Sequence, residues 1–566
     1  MGVRKAFRMT LIRWLLSAVA AYSLPLAGAR SATSPAVDYR VAPVLSGGRL
    51  SALDVTMRFD AAGPGRVTLV LPHDNAPGHP HLTGLAAEGG ELSDAGADER
   101  TLGTTKAGPV VVRYRLSPGS DKDPDSESRA PIIRPGWFAV HGESAFITIA
   151  GRSRLRATVT YGPGPQGWLL ASSFRGPTTL GQVTDGLLLG GRGYSELSST
   201  VAGSPLRLVY PAQMAARAAQ ALKDIARVDR AEREFWRAPP EPFFVGVIPL
   251  SDDEQFSGRG LDGGFALFLG GRVRSDAWLH LLAHEHMHTW ISRRIGGFPT
   301  AGSDLEAWLN EGFTEAFTAR VLLGSGLWTS AQFVADQNEA LMRYGLSPVK
   351  NAPNTRILAD RERDFDVNRL PYDRGRLLAL VWDRRLRAAT RDRIGLAKVM
   401  RAQIGDARGV APQLSADLLF PRTVRRLTGV DLRPDIHRYV DGGDTIALPA
   451  DLFGRCATVI DVEQPSFDRG FDLDQTLRAH GHVRGLEPDG PAARAGLRDD
   501  DHVLVDEVPS RDSQTWLSYV IVEPAGGRHT VKYKPEGRGE AHFQRLELTA
   551  AAHTDPAGCD RELARP

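Results

Sequence analysis

The period of the apolar residues changes twice along the 566 residues of this chain, and those changes limit the folds it can adopt. In residues 37–199, short alternating apolar runs are separated by Gly, Pro, Asp and Ser clusters, as in strands and turns. In residues 211–439 the apolar residues recur mainly at helical spacing, and in residues 467–548 short strands return. The pattern predicts an N-terminal all-β domain, a mainly helical α+β domain and a C-terminal β domain.

Composition places the chain among ordinary globular proteins. Hydrophobic residues make up 42% of the chain and charged residues 24%, which is enough for a sizeable core. The net charge of +2 gives no electrostatic reason to expect a nucleic-acid partner. The two cysteines, Cys456 and Cys559, bracket the C-terminal part. A disulfide would close that part on itself, and two unpaired thiols are the alternative, because spacing in sequence does not show proximity.

The first residues predict a leader for export. Four basic residues precede an apolar run over residues 14–28, which ends in the small-residue pattern Ala27-Gly28-Ala29. This arrangement is typical of a secretory signal peptide, so we expect cleavage near Ala29 and a periplasmic or extracellular protein. The alternative is a membrane anchor, but the run is about 15 residues long and is broken by Pro25, whereas roughly 20 residues span a bilayer. We therefore expect no stable membrane insertion after cleavage.

The stretch LLAHEHMHTW, residues 281–290, contains the pattern H-E-x-x-H. Residues four apart on an α-helix are separated by about 40° around its axis, so His284 and His288 project from one face and can bind one zinc ion. Glu285 lies beside them and can act as a general base toward a metal-bound water. A helix with surface histidines is the alternative. The neighbouring residues are apolar, however, and buried histidine and glutamate are costly without partners.

Two further histidines share this helix. His286 faces another side and is predicted to be a bystander. His280 lies one turn earlier on the ligand face, but three consecutive ligands from one straight helix give poor tetrahedral geometry.

A catalytic zinc site has three protein ligands and one open position. Glu311, in WLNEGFTEAF, is the candidate third ligand, because the turn IGGFPTAGSD allows its helix to return beside the first. Glu315, one turn later, is either an acceptor for the ring N–H of a ligand histidine or a solvated surface residue. Ser303 or Asp304 is expected to cap this second helix.

Three separated motifs, HEHMHTW, WLNEGFTEAF and PYDRG, resemble those of the glycyl aminopeptidase family, which are gluzincin metallopeptidases that often carry a PDZ domain. The resemblance implies a thermolysin-like catalytic domain with one Zn²⁺ per chain, bound by His284, His288 and Glu311. It also implies that Tyr372 stabilises the oxyanion, with Arg374 in place of the family's usual lysine. A helix-start aromatic is the alternative for Tyr372.

The patterns and the resemblance together define four segments. They are a signal peptide at residues 1–29, a β-sandwich-like domain at 30–205, a gluzincin catalytic domain at 206–455 and a PDZ-like domain at 460–550. In the last of these, the run GFDL is interpreted as a loop that receives the C-terminal carboxylate of a partner peptide.

Because of one departure from the family, the motifs do not define the class of substrate. Family members have a glycine-rich edge strand whose glutamate holds the free amine of the substrate. The stretch DGGFALFLGG is interpreted here as that strand, and Ala266 or Leu267 stands where the glutamate is expected. A zinc peptidase acting on a peptide or protein substrate is predicted, either an aminopeptidase anchored by another acid such as Asp262 or Glu306, or an endopeptidase. A catalytically weak or inactive PDZ-bearing binding protein, or a zinc hydrolase of non-peptide substrates, is also compatible with these motifs.

Overall fold

The computed structural model describes residues 36–73, 79–119, 130–174, 176–251, 256–270, 275–298, 303–361, 363–408, 414–504, 511–524 and 526–565. The expected signal peptide lies outside these residues. Within them, no helix combines the length and the apolar character needed to cross a membrane.

The described residues of the N-terminal part form strands and two short helices. They are β1 (Ala36–Ser46), β2 (Arg49–Ala61), β3 (Gly65–Val70), β4 (Leu82–Glu88), β5 (Glu91–Asp94), β6 (Glu99–Thr104), β7 (Gly108–Leu116), β8 (Ile132–Arg134), β9 (Trp137–His141), α1 (Gly142–Ala145), β10 (Thr148–Ile149), β11 (Arg156–Tyr161), β12 (Trp168–Ser172), β13 (Thr178–Thr179), α2 (Leu180–Thr184) and β14 (Leu187–Arg192). The strands form three sheets, with the orders β13-β11-β1-β2-β7-β4, β10-β3-β6-β5 and β12-β14-β9-β8.

Two apolar cores fix how these sheets pack. Strands of the first two sheets share one core, which also receives Phe138 and Val140 from the third sheet. Ala139 lies between those two residues and belongs to a second core, which the third sheet shares with the five-stranded sheet of the middle part. Alternate residues of a strand face opposite sides, so the third sheet joins the β domain to the middle part.

The middle part begins with a mixed sheet and continues as helices. Its elements are β15 (Tyr194–Val201), β16 (Ser204–Pro211), α3 (Ala215–Trp236), β17 (Phe243–Pro249), β18 (Phe256–Leu261), β19 (Gly264–Leu269), α4 (Ser275–Met287), α5 (Ile291–Arg294), α6 (Ala307–Gly324), α7 (Ser330–Leu346), α8 (Arg356–Asp360), α9 (Phe365–Thr390), α10 (Leu396–Arg408), α11 (Ala416–Thr428) and α12 (Arg433–Asp435). A 3₁₀ turn at Ser303–Glu306 precedes α6, and Glu306, rather than the predicted Ser303 or Asp304, occupies the cap position. The hairpin of β15 and β16 spans the predicted boundary between residues 205 and 206.

The order of the five-stranded sheet, β15-β16-β17-β19-β18, corrects one prediction. The stretch GGFALFL forms β19, which lies between β17 and β18 and is buried along its whole length. A continuous apolar run is what a strand covered on both faces requires. The interpretation of this stretch as the edge strand is therefore wrong, and the edge strand is β18, with the sequence FSGRGL.

The helices α4, α6 and α9 carry the predicted site residues. Helix α4 packs against α3 and α6, and α6 packs closely against α9. A Cβ atom added at Gly312 of α6 would lie 2.4 Å from the Cα atom of Gly375 in α9. Only a pair of glycines permits this approach, and it sets the distance between the parts of α6 and α9 that hold Glu311 and Tyr372.

The C-terminal part consists of β20 (Ala457–Phe467), α13 (Leu473–Arg478), α14 (Pro491–Arg494), β21 (His502–Leu504), β22 (Leu517–Val522), β23 (Arg528–Tyr533), β24 (Glu536–Leu548), α15 (Ala550–Thr554) and α16 (Pro556–Leu563). β20 and β24 pair along their length, and Val459 and Leu546 enter the core of the middle part. The residues between these strands have a small core of their own around Tyr519. Cys456 and Cys559 form a disulfide, with their Cα atoms 5.4 Å apart.

Candidate metal centre and active site

The two motif histidines meet at the end of α4. His284 lies in the last turn of the helix, and His288 follows it in the turn that leads to α5. Their Nε2 atoms are 3.2 Å apart. Both side chains are buried, at 9% and 8% exposure, so the pair is not a surface patch of the helix.

Glu311 of α6 completes the cluster. Its Oε2 atom lies 3.3 Å from Nε2 of His284 and 3.5 Å from Nε2 of His288. Burial alone would lower the pKa of His284, but the carboxylates of Glu311 and Glu315 outweigh it and hold that pKa well above its ordinary value. The cluster therefore stabilises positive charge where the three side chains meet. Two imidazole nitrogens and one carboxylate oxygen are the donor set of a catalytic Zn²⁺ site, and these residues fit that ion.

His288 is oriented from behind by a hydroxyl group. Nδ1 of His288 lies 2.6 Å from Oγ of Ser292, and that hydroxyl donates to Oδ1 of Asn310 at 2.7 Å. The hydroxyl oxygen therefore accepts the Nδ1 proton of His288, which leaves the lone pair on Nε2 for a metal. The amide of Asn310 donates in turn to Oε1 of Glu311 at 2.9 Å, so one hydrogen-bonded chain links two of the three ligands.

His284 is oriented by a carboxylate instead. Its Nδ1 atom lies 3.4 Å from Oε1 of Glu315, which is buried and is not a solvated surface residue. Glu315 also lies 2.9 Å from Nε2 of His280 and 3.4 Å from Nη1 of Arg376. Although burial opposes it, the imidazoles of His280 and His284 hold the pKa of Glu315 well below its usual range. His280 is thus a partner of Glu315 and lies outside the ligand cluster.

The edge strand β18 passes directly over the motif. A Cβ atom at Gly258 would lie 2.2 Å from the carboxyl carbon of Glu285, and one at Gly260 would lie 3.3 Å from Cβ of His288. Glu285 is buried, so its carboxylate is confined between the strand and the metal ligands. Gly258 is required for this close approach, and a side chain at Gly260 would crowd His288.

Tyr372 lies inside the first turns of α9 rather than at its start. Its ring stacks on the imidazole of His284, with centroids 6.2 Å apart, and the guanidinium carbon of Arg369 lies 4.2 Å from the ring centroid. Burial and the nearby Glu311 carboxylate raise the pKa of Tyr372 above its ordinary value, so the phenol is protonated at neutral pH and can donate. Arg374 points elsewhere and donates to the backbone carbonyls of Lys350 and Ala352.

His286 takes no part in the cluster, but it holds the helix that does. Its two ring nitrogens lie 2.9 Å from carboxylate oxygens of Glu232 and Asp229, both on α3. Asp229 is also bonded by Arg233. All four side chains are buried. The residue predicted to be a bystander therefore ties α4 to α3.

Asp262 and Glu306, the two acids suggested as substitutes for the missing amine anchor, both interact with other side chains of the protein. Asp262 accepts a hydrogen bond from Nε2 of Gln182 at 2.8 Å. Glu306 is buried beside Asp417, and burial together with that carboxylate raises the pKa of Glu306 to about 7. The sequence could have pointed to Ser292, which lies one helical turn after His288, but no local signal identified Gly258 or Gly260.

Comparison with known proteins identifies the fold. An aminopeptidase N family protein from Idiomarina loihiensis superposes with a TM-score of 0.66 at 16% identity, over 94% of this chain and 99% of that one. A variant of a two-domain M1 zinc metallopeptidase, bound to L-tryptophan, superposes with a TM-score of 0.50 at 17% identity, over 74% and 96%. No protein-family model and no curated protein matches the chain. The N-terminal β domain and the helical part that follows it thus have the fold of aminopeptidase N-like zinc metallopeptidases.

Proposed function

We propose that this chain is a zinc metallopeptidase of aminopeptidase type. The observation that carries the proposal is the convergence of His284, His288 and Glu311 within 3.2–3.5 Å, with Glu285 beside them under a free strand edge. Histidines that were buried only as part of the core would not need to converge with a carboxylate in this way. The motif resemblance to the glycyl aminopeptidases supports the same function, as does the shared fold.

The side chains divide the chemistry among them. A zinc ion held by His284, His288 and Glu311 would polarise the scissile carbonyl and acidify a water molecule. Glu285 accepts the proton of that water and delivers it to the leaving amine. The hydroxyl of Tyr372 donates to the oxyanion that forms on the carbonyl oxygen. The free edge of β18 pairs with the backbone of the peptide and holds it above the ligands.

Export is part of the proposal. The leader pattern in residues 1–29 supports it, and the disulfide between Cys456 and Cys559 is a bond that persists in oxidising compartments. We also propose that residues 460–550 contain a PDZ-like unit, in which Gly470 has a φ of +82° at the start of the run GFDL. The last residue of that run, Leu473, already begins the helix α13, whereas capture of a peptide tail by strand addition needs a strand there. This placement gives no support to tail capture at the run GFDL.

The test uses purified protein and two substrate sets, amino-acid amides and internally quenched peptides, each with and without a chelator. We expect chelator-sensitive hydrolysis that returns when zinc is added in stoichiometric amount. An absence of chelator-sensitive cleavage in both sets would contradict the peptidase proposal, and cleavage of non-peptide esters alone would favour a different hydrolase.

A further inference from the structure

The free edge of β18 is short, and the hairpin at the end of the strand determines which of its backbone groups point away from β19. Of the described strands, only β19 pairs with β18, and the two-residue loop 262–263 joins Leu261 to its ladder partner Gly264. The residues that flank a two-residue loop form a hydrogen-bonded pair, and the pairs alternate along an antiparallel ladder. The backbone groups of Gly260 and Gly258 therefore point away from β19, along the free edge of the sheet.

Arg293 closes this edge at Gly260. Its Nη2 atom donates to the carbonyl oxygen of Gly260 at 2.8 Å, and its Nη1 atom lies 2.9 Å from Oδ2 of Asp185. Asp185 follows α2 of the N-terminal domain, and its backbone carbonyl accepts the N–H of Asp262 at 3.2 Å. Three separate parts of the chain thus meet at the end of the strand. Because the guanidinium occupies the carbonyl of Gly260, an added strand cannot use that acceptor.

The direction in which a paired substrate runs decides which of its ends lies beside Arg293 and Asp185. A peptide that pairs antiparallel with β18 runs from the Gly260 end toward the Phe256 end, so its N-terminus lies beside Arg293. The side chain of Asp185 is 53% exposed, which leaves a carboxylate oxygen accessible while the other bonds Arg293. Glu143, another acid near the strand, is less exposed and is paired with Arg259 on the opposite face of the sheet.

We propose that Arg293 and Asp185 end the substrate groove on its N-terminal side, and that Asp185 receives the α-ammonium group of the substrate. This inference rests on the proposed peptidase function and makes the enzyme an aminopeptidase, although the edge strand β18 carries no acidic residue. The residue that replaces the missing glutamate lies in the N-terminal domain. It lies far from the zinc motif in sequence and is brought to it by the packing of the two domains.

The test compares one quenched peptide in two forms, with a free α-amine and with an N-acetyl cap. We expect kcat/KM for the free form to exceed that for the capped form by at least about tenfold, the effect of one charge-assisted contact. Asp185→Asn should remove about tenfold for the free form, chiefly through KM, and leave the capped form unchanged. Arg293→Met should open the edge, raise cleavage of the capped form and move cuts to inner bonds.

Two neighbouring substitutions serve as matched controls. Arg294→Met alters the next residue, which pairs with Glu241, and Asp262→Asn alters the adjacent acid; both should keep the preference for a free amine. Zinc content and the unfolding midpoint establish that each variant is folded. Equal cleavage of both forms by the unsubstituted protein would overturn the inference, and so would loss of the preference in Asp262→Asn but not in Asp185→Asn.

A binding measurement separates this inference from the proposed function. The Glu285→Gln variant is titrated by calorimetry with leucinamide and with N-acetyl-leucinamide. Binding of the free amine alone, weakened about tenfold by adding Asp185→Asn, is the expected result and does not depend on turnover. Equal binding of both compounds contradicts the role of Asp185 as the amine acceptor, even if the protein hydrolyses peptides. If the free amine binds preferentially but no peptide is hydrolysed, only the peptidase assignment is contradicted.

Discussion

At the scale of single residues, different groups lie behind the two imidazoles that we propose as metal ligands. Ser292 supplies a neutral hydroxyl to His288, and Glu315 supplies a buried carboxylate to His284. A carboxylate acceptor raises the basicity of the ligand more than a hydroxyl does, so His284 is expected to be the stronger donor to the metal. Glu315 is itself balanced by His280 and Arg376, which allows a buried negative charge to persist there.

Ser292→Ala tests the role of the hydroxyl. Without its acceptor, the Nδ1 proton of His288 is no longer fixed, and the side chain loses its connection to Asn310. We expect zinc affinity to fall by about 10-fold to 100-fold, with little change in the unfolding midpoint of the metal-free protein. Competition against a fluorescent chelator measures the affinity, with Ser325→Ala at the end of α6 as the control. Unchanged affinity in Ser292→Ala would contradict the assignment.

Glu285→Gln separates catalysis from metal binding. The amide keeps the shape of the side chain but cannot accept the proton of the water. We expect kcat to fall by about 100-fold to 10,000-fold while the variant still binds one equivalent of zinc. Steady-state kinetics and metal analysis on the same sample measure both effects, and Glu339→Gln, on the exposed face of α7, is the control. A fully active Glu285→Gln variant would show that another group is the base.

At the scale of elements, the edge strand shows where sequence patterns stop being informative. The positions of His284 and His288 follow from helical periodicity. Glu311 follows from the need for a third ligand and from the turn that precedes its helix, whereas the role of Tyr372 is implied only by motif resemblance. The sequence of β18, FSGRGL, has neither the length nor the apolar alternation that marks a strand, and the order of strands in a sheet is not encoded locally. From the sequence alone, the more apolar β19 is therefore interpreted as the edge strand. A strong strand signal, however, indicates a buried strand and not an exposed edge.

Gly258→Ala tests the contact between the edge strand and the base. The added methyl group would meet the carboxyl group of Glu285, so either the strand or the side chain must shift. We expect kcat/KM to fall by at least about tenfold, since small displacements of a catalytic group are costly, while the protein stays folded. Gly405→Ala, a helical position with open space around it, should leave kinetics unchanged. Kinetics of Gly258→Ala that match those of Gly405→Ala would contradict the proposed position of β18 over the site.

At the scale of the whole molecule, the end of the chain is part of the catalytic core. β24 packs along α7, and α16 contacts α6 and α7. Cys456 and Cys559 close this arrangement across 103 residues of sequence. The composition of the chain could suggest the disulfide but not show it, because only the return of α16 to the start of β20 brings the two residues together.

Loss of the disulfide should lower stability more than activity. Replacing both Cys456 and Cys559 by serine removes a crosslink that limits the unfolded chain, and we expect the free energy of unfolding to fall by about 2–5 kcal/mol. Denaturant unfolding measures the change, and a reductant should lower the midpoint of the unsubstituted protein but not of the double variant. A midpoint that is insensitive to reductant in both proteins would contradict this expectation.

The pairing of β20 with β24 also bears on how this architecture can be rearranged. Phe467 and Glu536 are opposite each other in the ladder, so the 68 residues between them leave and re-enter the molecule at neighbouring points. That segment has its own core, and among its described residues Arg511 pairs with Asp366 at the start of α9. In engineering terms it is a cassette inserted at the tip of a hairpin. A short turn could replace it, or another domain could be exchanged for it, without cutting through the enzyme.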